Sequence, residues 1–169
     1  MRIIGIDPGL QKMGWGVIDA EGSSLRYVAA GTVGSTAGYP LADRLCQLYD
    51  RLTVVIEAHN PDQAAVEETF VNVNPVSTLK LGAARGVALV VPARMGLPVG
   101  EYPANLIKKS VVGNGHANKD QVEMMIRTLM PTADFKGADA ADALAVAITH
   151  AHHGQTRKAL GGKMAGAAR

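Results

Sequence analysis

Five carboxylates in this chain stand where an acid is costly or electrostatically awkward, and any chemistry it performs has to be sought among them. Asp7 follows Arg2-Ile3-Ile4-Gly5-Ile6, an apolar run that reads as a short strand buried on both faces, and Pro8-Gly9 ends that strand at once. A carboxylate at the rim of a buried strand costs several kcal/mol, roughly, unless a cation or a hydrogen-bond network meets it. The plainer alternative is an Asp that merely caps the Pro-Gly turn. Glu67 and Glu68 end a later strand, 64–68, in the same way. Side chains alternate along a strand, so only one of the two can share a face with Asp7, and spacing alone does not say which. Asp139 and Asp142 lie three apart in Gly137-Ala138-Asp139-Ala140-Ala141-Asp142-Ala143-Leu144. On a helix they share one face, about 60° and about 4.5 Å of rise apart, and like charges there are unfavourable unless a cation lies between them. Asp139 in a first turn also complements the helix dipole, whereas Asp142 lies too deep to gain as much.

Brought to one point, four such carboxylates would be untenable without divalent cations. Hard oxygen ligands, in a chain with a single cysteine and no evident histidine pairing, favour magnesium or manganese over zinc. Two such ions could clamp the attacking and leaving oxygens of a phosphodiester.

The elements that must carry these acids follow from periodicity. Residues 2–9, 15–19 and 25–33 read as three strands joined by short turns, an antiparallel meander. Leu41, Leu45, Leu48, Leu52 and Ile56 recur at helical spacing, and Asn60-Pro61-Asp62 stops that helix. The strand 64–68 comes after this helical crossover, so it is expected to lie parallel to an earlier strand. A second helix starts at Pro75, a residue suited to a first turn, and runs through Leu79, Gly82, Ala83, Gly86 and Val90. Its small residues predict tight packing against another backbone. A fifth strand covers 98–102 and a short helix 104–112, followed by the loop 113–116. A helix capped by Asn118 ends at Pro131, and a last one runs from about Ala138 to about His153. Ala141, Leu144, Ala145 and Ile148 form its packing stripe, and its many alanines allow close approach to a sheet.

With 169 residues, 47% hydrophobic and 19% charged, the chain suits one domain with one sizeable core. We expect that domain to span 1–153, with 154–169 a disordered basic tail: it carries Arg157, Lys158, Lys163 and Arg169 and no acid. No apolar run is expected to cross a bilayer and no signal layout opens the chain, so a cytoplasmic protein without a membrane partner is expected. Cys46 is the only cysteine, which excludes an internal disulfide and a Cys-based zinc site. Between Phe70 and Lys119 six Lys/Arg face one acid, Glu101, a local basic surface suited to a polyanion beside an acidic centre. His150, His152 and His153 crowd a helix end, where they read as structural rather than metal-binding.

Taken together, Gly5-Ile6-Asp7-Pro8-Gly9, Val66-Glu67 followed by Phe70, Leu79-Lys80-Leu81-Gly82 with Ala84-Arg85-Gly86, Val111-Val112-Gly113 and Ala138-Asp139-Ala140-Ala141-Asp142-Ala143-Leu144-Ala145 resemble the RuvC family. Those proteins are Holliday junction resolvases with a ribonuclease-H-like fold, and the resemblance runs through essentially all of 1–153. It implies an α/β fold with a five-stranded mixed sheet, antiparallel meander plus parallel strands, flanked by helices on both faces. It implies Asp7, Glu67, Asp139 and Asp142 as catalytic and metal-binding carboxylates, with Glu67 preferred to Glu68. Two Mg2+ ions per site, replaceable by Mn2+, would support nicking of two like-polarity strands of four-way junction DNA in recombination and repair, leaving 5′-phosphate and 3′-hydroxyl ends. Lys108 and Lys119 match lysines that hold the DNA backbone. Phe70, which composition alone would assign to a core, matches a residue that stacks on an unpaired base. A homodimer and the branch-migration proteins RuvA and RuvB are the implied partners, and two matched nicks themselves call for a two-fold dimer. The helix bearing Gly82 and Gly86 is the candidate interface.

Three other classes stay open on residues alone. A related nuclease of the same fold could act on another branched or hybrid nucleic acid. An actin-like or sugar-kinase-like phosphotransferase also opens on Gly-Ile-Asp-x-Gly but needs two such domains. An inactive junction-binding protein would not need the full acid set.

Overall fold

The structure, a computed structural model, describes residues 1–68 and 74–165, with 155–165 described by backbone alone. Its centre is a five-stranded sheet built from β1 (Arg2–Asp7), β2 (Lys12–Glu21), β3 (Ser24–Gly34), β4 (Gln63–Glu68) and β5 (Val99–Pro103). The order across the sheet is β3-β2-β1-β4-β5. β1 pairs antiparallel with β2, and β2 with β3, as the short turns dictate. β4 lies parallel to β1 and β5 parallel to β4, because each returns through a helical crossover. The expected ribonuclease-H-like arrangement is therefore the observed one.

Helices α1 (Leu41–His59), α2 (Pro75–Arg94), α3 (Ala104–Val112), α4 (Lys119–Leu129) and α5 (Ala138–Ala165) cover the two faces of the sheet. The period of two along β1 decides which face receives what. Ile4 and Ile6 enter a core with Met13, Val17, Ala64 and Val66, closed by Leu48, Leu52 and Ile56 of α1 and by Ala84, Ala88 and Val91 of α2. Ile3 points the other way, into a core with Ala65, α5, Ile107 and Val111 of α3, and Val122 and Ile126 of α4.

Local signals set the helix ends. Asn60 stops α1 in the left-handed conformation, at φ 46°. The Asn74 side chain accepts from the Val76 and Ser77 N–H groups, with Pro75 in the first turn of α2. Asn118 and Gln121 form a reciprocal capping box on α4.

Three expectations are corrected. Gly82 and Gly86 do not seat another backbone of this chain: a Cβ at either would meet nothing within 4 Å among the described residues. The stripe of α2 that packs inward is Ala84, Ala88 and Val91, so the glycines turn outward with Val76, Leu79 and Val90, which are 59%, 75% and 50% exposed. Second, α2 is by length and composition apolar enough to cross a bilayer, the exception to the expectation that no segment is; its inner stripe nevertheless docks on the sheet. Third, α5 does not end near His153 but runs to Ala165, since nothing in 155–165 breaks a helix as a proline would. The question of a disordered tail falls on 166–169 and on side chains 155–165, outside the described residues.

Candidate active site

The carboxylates are positioned by the sheet register and by three glycines. Ile6 lies opposite Val66 in the parallel β1–β4 pair, so Asp7 and Glu67 are the next residues along on adjacent strands. Alternation then separates the two glutamates: Ala65 faces α5 and so does Glu67, while Val66 and the exposed Glu68 belong to the other face.

Helix α5 lies against this face more closely than any side chain would permit. A Cβ on Gly5 would stand 2.1 Å from the Ala143 carbonyl oxygen, and one on Gly14 would stand 2.0 Å from the Asp139 carbonyl oxygen. A Cβ on Gly16 would stand 2.8 Å from the Leu144 side chain. Gly14 is the register partner of Asp7, so the start of α5 is laid directly over the rung that ends in Asp7. Glycine is required here for close approach rather than for a special φ. The Gly14-x-Gly16 spacing in β2 is the sequence signal for this contact, the counterpart of the alanines of α5.

The result is a cavity of about 320 Å³ lined by Asp7, Glu67 and Asp142, with Lys108 from α3 and Lys119 from α4 on its wall. Ile107, Val122 and Ala145 supply apolar lining. Burial pushes the Asp7 carboxyl up to about 8, reinforced by the charges of Glu67, Asp142 and Asp139 and opposed by Lys119. Burial and the charge of Asp142 push Glu67 up to about 7, opposed by Lys119 and Lys108. Asp139 is half-buried and touches this system through its charge on Asp7.

The four acids thus share one electrostatic site, yet they do not close on a common point. Among the described residues no three Asp, Glu, His or Cys side chains stand ready to hold a metal ion. Lys119 donates from Nζ to Asp142 Oδ2 at 2.9 Å. That ion pair and the charge of Asp142 hold the Lys119 ammonium above the usual lysine range. The donor set still fits a hard divalent cation. It offers only oxygens, and burial first and neighbouring acids second raise two of its carboxyls, Asp7 to about 8 and Glu67 to about 7, a cost that a cation would relieve.

Phe70 lies outside the described residues. Lys109, beside Lys108, is exposed. The histidines of α5 have structural partners. His150 is 2.9 Å from the Tyr102 hydroxyl through Nδ1 and 2.8 Å from Gln63 Oε1 through Nε2, tying α5 to β4 and β5. The His152 ring is 3.3 Å from Ser110 Oγ, and the His153 ring centroid is 5.4 Å from that of Tyr102. Sequence reasoning had no signal for Tyr102 and Gln63 as the partners of His150, because neither is near it in the chain.

Comparison with known proteins places the fold and the sequence in one family. Residues 3–150 match a family described as crossover junction endodeoxyribonuclease RuvC. A protein of that name from Allorhizobium ampelinum is 60% identical over 165 residues, covering 96% of this chain and 98% of its own length. One from Methylocella silvestris is 66% identical over 151 residues, covering 89% and 86%. Among solved structures, Thermus thermophilus RuvC in complex with a Holliday junction substrate superposes with a TM-score of 0.85 at 32% identity, covering 92% of this chain and 96% of that one. The yeast mitochondrial Holliday junction resolvase, at 15% identity and a TM-score of 0.61, shares the fold.

Proposed function

This chain belongs to the RuvC family of crossover junction endodeoxyribonucleases, and from that premise we propose that it resolves Holliday junctions through Asp7, Glu67, Asp139 and Asp142. The observation that carries the assignment of residues is the cavity in which Asp7, Glu67 and Asp142 face Lys108 and Lys119. Acids and cations so close together suit a substrate that is itself a polyanion.

Asp7, Glu67, Asp139 and Asp142 would hold two Mg2+ ions, or Mn2+ in their place. Bound there, the ions supply Lewis-acid stabilisation of the charge that builds on a phosphodiester as it is cut. The chain's own groups do the positioning. Asp7 and Glu67, fixed on adjacent strand ends, orient the site from below, and α5 delivers Asp139 and Asp142 from above. Lys108 and Lys119 take backbone phosphates as point charges, which sets the register of the strand without reading its bases. Phe70, three residues beyond Glu67, would stack on a base unpaired at the crossover. The products are 5′-phosphate and 3′-hydroxyl ends.

Two strands must be cut, so the working form is a homodimer, with the outward face of α2 as its interface. RuvA and RuvB, the branch-migration proteins of the same process, are its partners in the cytoplasm. Residues 1–153 suffice for the nuclease domain, and 154–169 add a basic extension.

Asp7→Asn tests the assignment. With Mg2+, the variant is expected to lose cutting of a synthetic four-way junction by at least about a thousandfold, while its junction affinity in chelator stays within about threefold of wild type. Undiminished cutting by the variant, or equal cutting of junction, fork and RNA–DNA hybrid by wild type, would overturn the reading.

A further inference from the structure

Lys119 occupies an unusual position for a residue that only binds DNA. The capping box of Asn118 and Gln121 fixes the first turn of α4, so the root of the Lys119 side chain is held in place. From there its ammonium reaches across to α5 and bonds Asp142 at 2.9 Å. Its charge also bears on Asp7 and Glu67. Lys108 lines the same cavity and acts on Glu67 through its charge; among the described residues it makes no carboxylate bond like that of Lys119.

We propose that Lys119 is an internal counter-cation that withholds Asp142 from the metal site until a backbone phosphate draws the ammonium away, so that loading of divalent cation is coupled to junction binding. The inference rests on the reading of Asp7, Glu67, Asp139 and Asp142 as metal ligands. The exposures set the direction of the exchange. The Lys119 side chain is 70% exposed and open to an incoming phosphate, whereas Asp142 is 25% exposed and faces the cavity. An ion pair at such a surface is weak, so a phosphate can compete for the ammonium. A lysine suits this role because its charge is compact and its stem flexible. Since coupling is reciprocal, cation binding also tightens the hold on the junction by releasing Lys119 for phosphate.

The test is calorimetric titration of Mn2+ into the full chain, alone and with a cleavage-resistant four-way junction, for wild type, Lys119→Met and Lys108→Met. Both variants lose one positive charge beside the acids, but only one loses a carboxylate bond. Without DNA, Lys119→Met is expected to bind Mn2+ about five- to tenfold more tightly than wild type, and Lys108→Met to differ from it by less than about twofold. The gain in Mn2+ affinity on adding junction should shrink by the same factor in Lys119→Met alone. Misfolding would weaken binding, so tightening is not a structural artefact; Lys119→Gln serves if the Met variant aggregates. Equal effects of the two substitutions, or no tightening in Lys119→Met, would overturn the coupling. Unchanged Mn2+ binding in Asp142→Asn would instead overturn the metal-site reading beneath it.

Discussion

At the scale of single residues, the site stores an electrostatic cost in Asp7 and Glu67. Asp7 is raised to about 8 and Glu67 to about 7 by burial first and by neighbouring acids second. A carboxyl whose folded pKa is raised binds its proton more tightly in the native state than in the unfolded chain. Stability therefore falls as pH climbs from the ordinary carboxylate range, about 4, through the folded values near 7 and 8. Below about pH 4 the acids make no difference, because both states are protonated. Asparagine imitates the neutral acid and never ionises. In chelator, Asp7→Asn is thus expected to be more stable than wild type by about 2 kcal/mol or more at pH 8, by about 1 kcal/mol at pH 4.5, and nearly equal to it at pH 3. Thermal melts of both proteins across that range would check it, and parallel curves would sink it. For wild type, added Mg2+ should raise the melting temperature more at pH 8 than at pH 5, since it relieves a repulsion that exists only when the acids are ionised.

At the scale of elements, the residues that aim the site are glycines rather than acids. Gly14 is the clearest case, because the α5 backbone at Asp139 fills the space its Cβ would need. Gly14→Ala must push α5 off the sheet, so a loss of about 2–4 kcal/mol in denaturant unfolding is expected, with cutting reduced as Asp139 moves. A change under about 0.5 kcal/mol would mean that α5 is not seated as described. Gly82→Ala is the contrast: it meets open space in this chain, and it should gain up to about 1 kcal/mol of helix stability. The two glycines also mark where sequence was legible and where it was not. The apolar run of β1, the Leu41 to Ile56 spacing, Pro75 in a first turn and the Asn118 cap are local patterns, and each element they predict is present. The choice between Glu67 and Glu68 depends on register with β1, and the outward turn of Gly82 depends on which stripe of α2 meets β4. The bond from Lys119 to Asp142 spans 23 residues and two helices. These are tertiary facts that no local period encodes.

At the scale of the whole molecule, the described residues of one chain hold one carboxylate cavity, while a resolved junction has two cuts. The proposed homodimer would meet this through the outer face of α2, where Val76, Leu79 and Val90 are exposed around Gly82, Ala83 and Gly86. An apolar stripe with small residues at its middle lets a second copy of the helix approach closely, and a two-fold axis through it would make the same patch serve both protomers. Leu79 is the most exposed large side chain there, at 75%, so it has the most apolar surface to bury. Burying one leucine is worth about 1.5–3 kcal/mol, and a two-fold interface buries it twice. Leu79→Glu removes both contributions and sets two like charges near the axis. The dimer dissociation constant is expected to rise about a hundredfold or more, which sedimentation would read directly. Activity should change in kind as well as in amount. On a supercoiled plasmid carrying an extruded cruciform, wild type makes both cuts in one encounter and yields linear DNA. The monomeric variant, with its acids untouched, makes one cut and yields nicked circles, because the first nick relaxes the plasmid and the cruciform is reabsorbed. A variant that stays dimeric at micromolar concentration and still gives linear product would place the two-fold axis on another face of the molecule.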